Sequence, residues 1–303
     1  MRPVTQLEAL LGKGFSLLAL GSSFADCDPA PCRFFDFPTA AMENVHAYGA
    51  IPVFNWSSQE STSNPNLNTV MPAFQLSDII AGTYDNYIRE FAKDARDWGH
   101  PFFLRFNWEM NGRWFPWSEQ VNGNKPGEYV AAWRHVHDIF TSVGATNATW
   151  VWCPYAEVTR RFAPLRPLYP GDAYVDWTCM DGFNWGKNGT NPHKWRSFGE
   201  IFDSTYRLLA KRVAPSKPIL LAEIASTGRP RAKAAWIADM FKQLANKYRR
   251  VRGLVWFEQV DRGIQWPLEN SLVVLRAFAK GIANPAFQAN VQAAVTSPIR
   301  PPG

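Results

Sequence analysis

Short apolar, β-rich runs alternate with helix-patterned stretches along most of this chain, and that alternation leaves few folds open. The runs are FSLLAL (15–20), IPVFNW (51–56), PFFLRF (101–106), ATWVWC (148–153), VDWTCMDGF (175–183), PILLAE (218–223) and VRGLVWF (251–257). Helical periodicity fills the gaps at 39–48, 83–98, 126–143, 198–213 and 231–248. In the second of these, Thr83 is a candidate N-cap ahead of apolar Tyr87, Ile88, Phe91 and Ala92. Strands that alternate with helices pair in parallel, which implies a doubly wound sheet or an α/β barrel. No glycine fingerprint follows the first run, which weighs against a dinucleotide-binding sheet. Polar and aromatic residues gather instead at the C-terminal end of almost every run: Asn55 and Trp56, residues 107–111, Tyr155, residues 181–185, Glu223, Trp256 and Glu258. In a barrel these ends form one face, where active sites sit.

The expected fold is therefore a (β/α)8 TIM barrel, with one catalytic domain over 1–296 and a flexible tail, SPIRPPG, over 297–303. Only seven runs can be counted, whereas a closed barrel needs an eighth to cover its edges. Residues 1–4 are too few for a strand, and 6–12 read as a helical turn ending at glycine. The first strand is expected to be missing, to be irregular, or to lie upstream.

Other classes fall away on composition. At 303 residues, 46% hydrophobic and 19% charged, the chain can bury a large core. The net charge of +6 is spread over groups at 160–166, 229–233 and 247–252, which read as solvated faces and not as a nucleic-acid surface. No apolar run reaches the roughly 18 residues that span a bilayer. The CDPAPC loop allows a Cys27–Cys32 disulfide, while Cys153 and Cys179 lie in apolar runs and read as core. MRPVTQLEALLGK is too polar for a signal sequence. An extracellular monomer is expected, its signal peptide not within these residues.

Two glutamates carry the chemistry. Glu109 follows PFFLRFNW, and Glu223 follows KPILLA. Both end β-rich runs and would project into one bowl. A glycosidase needs such a pair: one carboxyl stays protonated and donates to the leaving oxygen, and the other is ionised and attacks the anomeric carbon if configuration is retained. Trp108, Trp114, Phe115 and Trp117 would desolvate Glu109, raise its pKa, and stack on sugar faces. Period-two alternation puts Arg105, Asn107 and Glu109 on one parity, so an inward Arg105 would keep Glu223 ionised. Taken singly, a glutamate after a strand is more often a surface or cap residue, and a ring cluster is more often core. The chemistry needs neither metal nor organic cofactor.

The segment IIAGTYDNYIREFAKDARDWGHPFFLRFNWEMNGRWFPW resembles the acid/base region of glycoside hydrolase family 26. The likeness continues, in the family's order, through WVWCPY (150–155), YPGDAYVDWTCMDGFNWG (169–186), KPILLAEIAS (217–226) and GLVWFE (253–258). It implies a (β/α)8 barrel and a retaining double displacement, with Glu109 as general acid/base and Glu223 as nucleophile. Trp114 and Trp256 match family aromatics that line sugar subsites; Asn107, Trp108, Trp117, Tyr155, Phe183 and Trp185 complete the expected sugar-contacting set. Two positions depart from the family pattern. Trp108 stands where histidine usually precedes the acid/base, and an indole offers one donor and no acceptor. Phe183 stands where a tyrosine hydroxyl usually bonds the nucleophile, which leaves Tyr155 as a substitute donor. The family also puts the two glutamates on its fourth and seventh strands. Here they fall on the third and sixth runs, and one missing first strand accounts for both offsets. The implied activity is an endo-acting β-glycanase on a plant-type polysaccharide, with β-1,4-mannan first, mixed-linkage β-glucan (lichenase) next and β-1,3-xylan third. The reading from another class is a carbohydrate-binding pseudoenzyme.

Overall fold

The computed structural model describes residues 2–28, 30–61, 69–157, 161–186, 194–261 and 263–301. In chain order they form α1 (Arg2–Leu11), β1 (Leu17–Asp26), β2 (Arg33–Phe34), α2 (Thr39–Ala47), β3 (Ile51–Glu60), α3 (Leu76–Ile80), α4 (Asp85–Trp98), β4 (Phe102–Phe106), α5 (Glu128–Ser142) and β5 (Ala148–Trp152). These are followed by β6 (Trp177–Asn184), α6 (Phe198–Leu208), β7 (Ile219–Ser226), α7 (Pro230–Asn246), β8 (Val251–Trp256), the hairpin strands β9 (Val260–Asp261) and β10 (Ile264–Gln265), and α8 (Leu272–Ile282). The main sheet runs β2-β1-β3-β4-β5-β6-β7-β8. Its seven long strands are all parallel, and only the two-residue β2 pairs antiparallel, with β1. This is the (β/α)8 fold, with each of the seven apolar runs a strand and the helices outside.

The burial of each strand follows its place in the sheet. Every residue of β4, β5 and β6 is buried, as expected for strands covered by helices on one face and barrel core on the other. β8 and most of β1 are only half-buried. These two strands lie side by side, yet among the described residues no backbone ladder joins them. A cavity of about 990 Å3 follows this seam, from Asn55 and Glu223 at one end to Ile299 and Arg300 at the other. Residues 2–11 are helical, and no strand precedes Leu17 among the described residues, as the count of seven runs led us to expect.

Local expectations needed two corrections. Helix α4 starts at Asp85, after Tyr84, so Thr83 is not its N-cap; its far end closes on Gly99, whose φ of 80° is a left-handed geometry that glycine adopts without strain. The tail is not free. Ser297 Oγ donates to the Asn147 carbonyl (3.2 Å), Ile299 N–H to Thr149 Oγ1 (2.9 Å), and Trp177 Nε1–H to the Ile299 carbonyl (2.7 Å). Ile299 is 4% exposed and packs with Ile51, Phe103, Trp177 and Leu220 at the N-terminal ends of the strands, so it stoppers the barrel floor. Serine and proline suggested a flexible tail, but one isoleucine with an apolar mouth to fill overrides them. Residues 302–303 lie outside the described residues. Cys27 and Cys32 are joined, as the loop allowed; Cys153 and Cys179, read as core, are fully buried and joined to each other across β5 and β6.

Candidate active site

The site begins with Arg105, placed inward near the end of β4 and fully buried. Its Nη1 donates to Glu223 Oε1 (3.0 Å) on β7 and to Asn55 Oδ1 (2.8 Å) on β3, and its Nη2 bonds Asp181 on β6. The guanidinium lies 5.4 Å from the Trp108 ring centroid. The expected Arg105–Glu223 pairing is therefore present, and Asp181 is a second carboxylate on the same cation. Asp181 had stood out in the sequence only as a polar residue at a strand end. A register shift explains how it meets Glu223: Met180 pairs with Leu221, but Asp181 pairs with Glu223, so Ala222 is the extra residue of a bulge. Bulges re-aim side chains in this way beside functional sites.

Strand alternation stops at Phe106. Asn107 and Glu109 both have positive φ, 46° and 54°, in a region that non-glycine residues seldom occupy. The kink turns Glu109 into the bowl, and its N–H donates to the Cys153 carbonyl at the end of β5 (2.6 Å). Glu109 is 7% exposed, and its Oε2 accepts the Trp114 Nε1–H at 2.6 Å. Burial first, and then the nearby Glu223 charge, push its carboxyl up to about 8, against the opposing pull of the Trp114 bond and of Arg105. The acid is thus held protonated at neutral pH while a cation grips the other glutamate. Gly112 lets the indole reach it: a Cβ there would sit 2.5 Å from Trp114 ring atoms.

The expected sugar-contacting residues divide. Trp114 stands edge-on to Tyr155 (5.1 Å) above Glu109, and Trp185 Nε1–H donates to the Tyr155 hydroxyl (3.2 Å). Trp114, Tyr155, Trp185 and Trp108 are partly open and border the bowl. Four others have their rings or polar groups engaged by protein neighbours, although Trp256 also lines the seam cavity with Glu223. Asn107 is fully buried, and its amide is used by Ser58, accepting from Ser58 N–H (2.9 Å) and donating to Ser58 Oγ (2.8 Å). Trp117 is fully buried, donates to the Trp108 carbonyl (2.7 Å) and stacks on Phe115. Phe183 is packed among Trp185, Phe257 and Trp266. The Trp256 ring meets Trp236 and Phe278 of the helix layer, and its Nε1–H is taken by the Trp266 carbonyl (3.1 Å). The Tyr155 hydroxyl sits with Trp185, while Arg105 is what holds Glu223.

Sequence reasoning passed over three supports. Asn55 completes the Arg105 cradle. Asn111 clamps the β4 and β5 loops by exchanging two bonds with the Tyr155 backbone (2.8 and 3.0 Å). Lys233, buried in α7, donates to the Trp266 and Pro267 carbonyls (2.6 and 2.8 Å) and fixes the loop after β8. In that loop burial, and then a proton shared with Glu269, push the Glu258 carboxyl up to about 9. Asn55 and Asn111 do stand at strand ends in the sequence; nothing in the pattern marks Lys233, a lysine on a helix.

Known proteins resemble this chain in sequence and in fold. Endoglucanase H of Acetivibrio thermocellus is 34% identical over 252 residues, covering 82% of this chain and 26% of that protein. A β-1,3-xylanase, TXYA, of a Vibrio species is 26% identical over 124 residues, covering 37% of this chain and 24% of that protein. The chain thus spans about a quarter of the length of these curated relatives. A solved mannanase from Bacillus subtilis superposes with a TM-score of 0.64 over 100% of this chain and 85% of its own at 16% identity, a likeness of fold. Among the described residues, no helix is long and apolar enough to cross a membrane. The family model for glycosyl hydrolase family 26 matches residues 53–220, more than half of the chain; the span holds Asn55, Arg105, Glu109 and Asp181 and stops short of Glu223, and the chain belongs to that family of glycoside hydrolases.

Proposed function

We propose that this hydrolase is a retaining endo-β-glycanase whose preferred substrate is a β-glucan. One observation carries the mechanism: an indole-bound Glu109, its carboxyl held up by burial, and an arginine-bound Glu223 stand at the ends of β4 and β7 on one face of the barrel. Glu223 attacks the anomeric carbon, while Glu109 gives its proton to the leaving glycosidic oxygen. The resulting glycosyl-enzyme ester is hydrolysed by a water that Glu109, now ionised, deprotonates. Arg105 holds one oxygen of Glu223 and leaves the other for attack. Trp114 and Tyr155 offer ring faces for the flanking sugars.

The sequence favoured mannan. The relative with the longest match is an endoglucanase, whereas the solved mannanases resemble this chain in fold alone, and this moves β-glucan ahead of mannan. Trp108 supports the same order, because its indole lies over Arg105 and cannot offer the acceptor of a histidine. Mannan is the second reading and β-1,3-xylan the third. An extracellular setting is supported by the Cys27–Cys32 disulfide, since such bonds persist in oxidising compartments.

The test is release of reducing ends from barley β-glucan, lichenan, carboxymethyl cellulose, mannan and β-1,3-xylan, beside Glu223→Ala. Cleavage of the glucans that the variant lacks supports the proposal. Mannan cleavage alone restores the earlier order. Sugar binding without cleavage of any polymer would make the chain a binding barrel. The anomer released first, followed by NMR, reads retention against inversion.

A further inference from the structure

Away from the bowl, three potential metal-ligating side chains converge on the outside of the barrel. Glu43 and His46 are one helical turn apart in α2, and His100 lies between α4 and β4. Their ligand atoms all fall within 4.8 Å of one another. Each oxygen of Glu43 faces one imidazole: Oε1 is 3.8 Å from His46 Nδ1, and Oε2 is 4.0 Å from His100 Nε2. Both gaps are too long for hydrogen bonds. They are also only slightly wider than the roughly 3.3–3.5 Å that separates ligands around a tetrahedral zinc ion with bonds of about 2.0–2.2 Å. The carboxylate is held from behind, because the Trp98 Nε1–H donates to Glu43 Oε2 at 3.0 Å. Partners of this kind orient ligands in known metal sites.

From this geometry we infer that Glu43, His46 and His100 form a binding site for a zinc-like divalent cation. Two imidazoles and one carboxylate suit borderline first-row cations; calcium and magnesium prefer oxygen alone. The site has one open position toward solvent. The two rings are stacked at 3.7 Å with planes 19° apart, and an ion bound to both has to lie in the plane of each. Loading therefore requires a rotation about the Cβ–Cγ bond, for which the preference is broad. The side chains are 23% and 42% exposed, which leaves room for it. The ordinary alternative is a surface pair of histidines beside an acid. It accounts for the stacking and, with protonated rings, for loose ion pairs to the carboxylate, so uptake of a metal is what distinguishes the two.

The bound ion would act as a clamp. Helix α2 leads into β3 and the His100 segment into β4, so the metal ties together two approaches to the barrel floor, on the side opposite Glu109 and Glu223. The inference does not rest on the glycanase reading.

The test is calorimetric titration of the full chain with zinc after stripping with a chelator, beside His46→Gln, His100→Gln and Glu43→Gln. One zinc per chain is expected, with affinity at least tenfold weaker in each variant. Saturating zinc should raise the unfolding midpoint of the wild type by roughly 2–5 °C and leave the variants unmoved. Cobalt should give the visible absorption of a low-coordinate site in the wild type alone. Glu43→Gln keeps an acceptor for Trp98, so it separates loss of a ligand from loss of packing. Equal zinc affinity in wild type and in a His46→Gln/His100→Gln double variant overturns the inference, as does failure of the wild type to take up zinc at about 1 mM, far weaker than built sites bind.

Discussion

Replacing Trp114 by phenylalanine should move the alkaline limb of catalysis upward. The indole N–H can only donate, so it stabilises the ionised Glu109 over the neutral acid, and it does so across 2.6 Å in a nearly closed site. A hydrogen bond to a charged group is worth about 1.5–3 kcal/mol, and one pKa unit corresponds to about 1.36 kcal/mol. Removing the bond should therefore raise the Glu109 carboxyl by about 1–2 units from its value of about 8. Phenylalanine retains an aromatic face, so the plateau of kcat/KM changes in height while the limb changes in position. The assay is kcat/KM against pH on a soluble β-glucan, which reports groups of the free enzyme. A limb that stays in place would show that the bond does not tune the acid. A limb that moves to lower pH would show that the indole acts mainly by excluding water, and would refute the argument.

Arg105→Met leaves Asp181 and Glu223 buried without their shared cation, and should cost about 3–5 kcal/mol in urea unfolding along with nearly all activity. Ile299→Ala empties the floor of the barrel and should cost about 2–5 kcal/mol; a loss of a few tenths would mean that the tail only rests on the surface. Glu258→Gln bears on pH and stability. The folded carboxyl is held up to about 9, so between its unfolded value near 4.5 and that point the native state keeps a proton that the unfolded chain has released. This contribution to stability is complete at low pH and fades as pH rises, with a slope of up to about 1.36 kcal/mol per pH unit for one proton. The variant should show a flatter decline from pH 5 to 9 by denaturant titration, and an unchanged slope would place the proton elsewhere.

The repeating strand and helix pattern was legible because apolar runs bounded by amphipathic helices have few other uses. The runs at 102–106 and 148–152 could be placed to within a residue or so, since parallel strands buried on both faces carry no alternation to misread. The pairing of Arg105 with Glu223 was legible for the same reason, as it needs only one inward position on β4. Beyond Phe106 the parity argument no longer applied, because two positive φ angles turn the chain, and Asn107 ends against Ser58 while Glu109 reaches the bowl by a different path. The tryptophans were hardest. An indole that faces sugar and one that faces a helix look alike in sequence, and Trp256 differs from Trp114 only in which layer lies above it. Asp181 could not be singled out because its position opposite Glu223 depends on the bulge at Ala222.

The stopper at the barrel floor bears on the order in which this protein is made. The bonds that fix it reach back 122 residues to Trp177 and 150 residues to Asn147 and Thr149. Synthesis runs from the N-terminus, so all seven strands of the wall are made before Ile299 is joined to the chain. Contacts between distant residues form slowly, and apolar surface left open in the meantime is prone to wrong partners. During that interval the ring of Ile51, Phe103, Trp177 and Leu220 faces water at one mouth of an unfinished tube. The vulnerable stage for this barrel is thus the interval between the making of its last strand and the seating of Ile299, when a chaperone that covers one small apolar ring would do what a single isoleucine does afterwards.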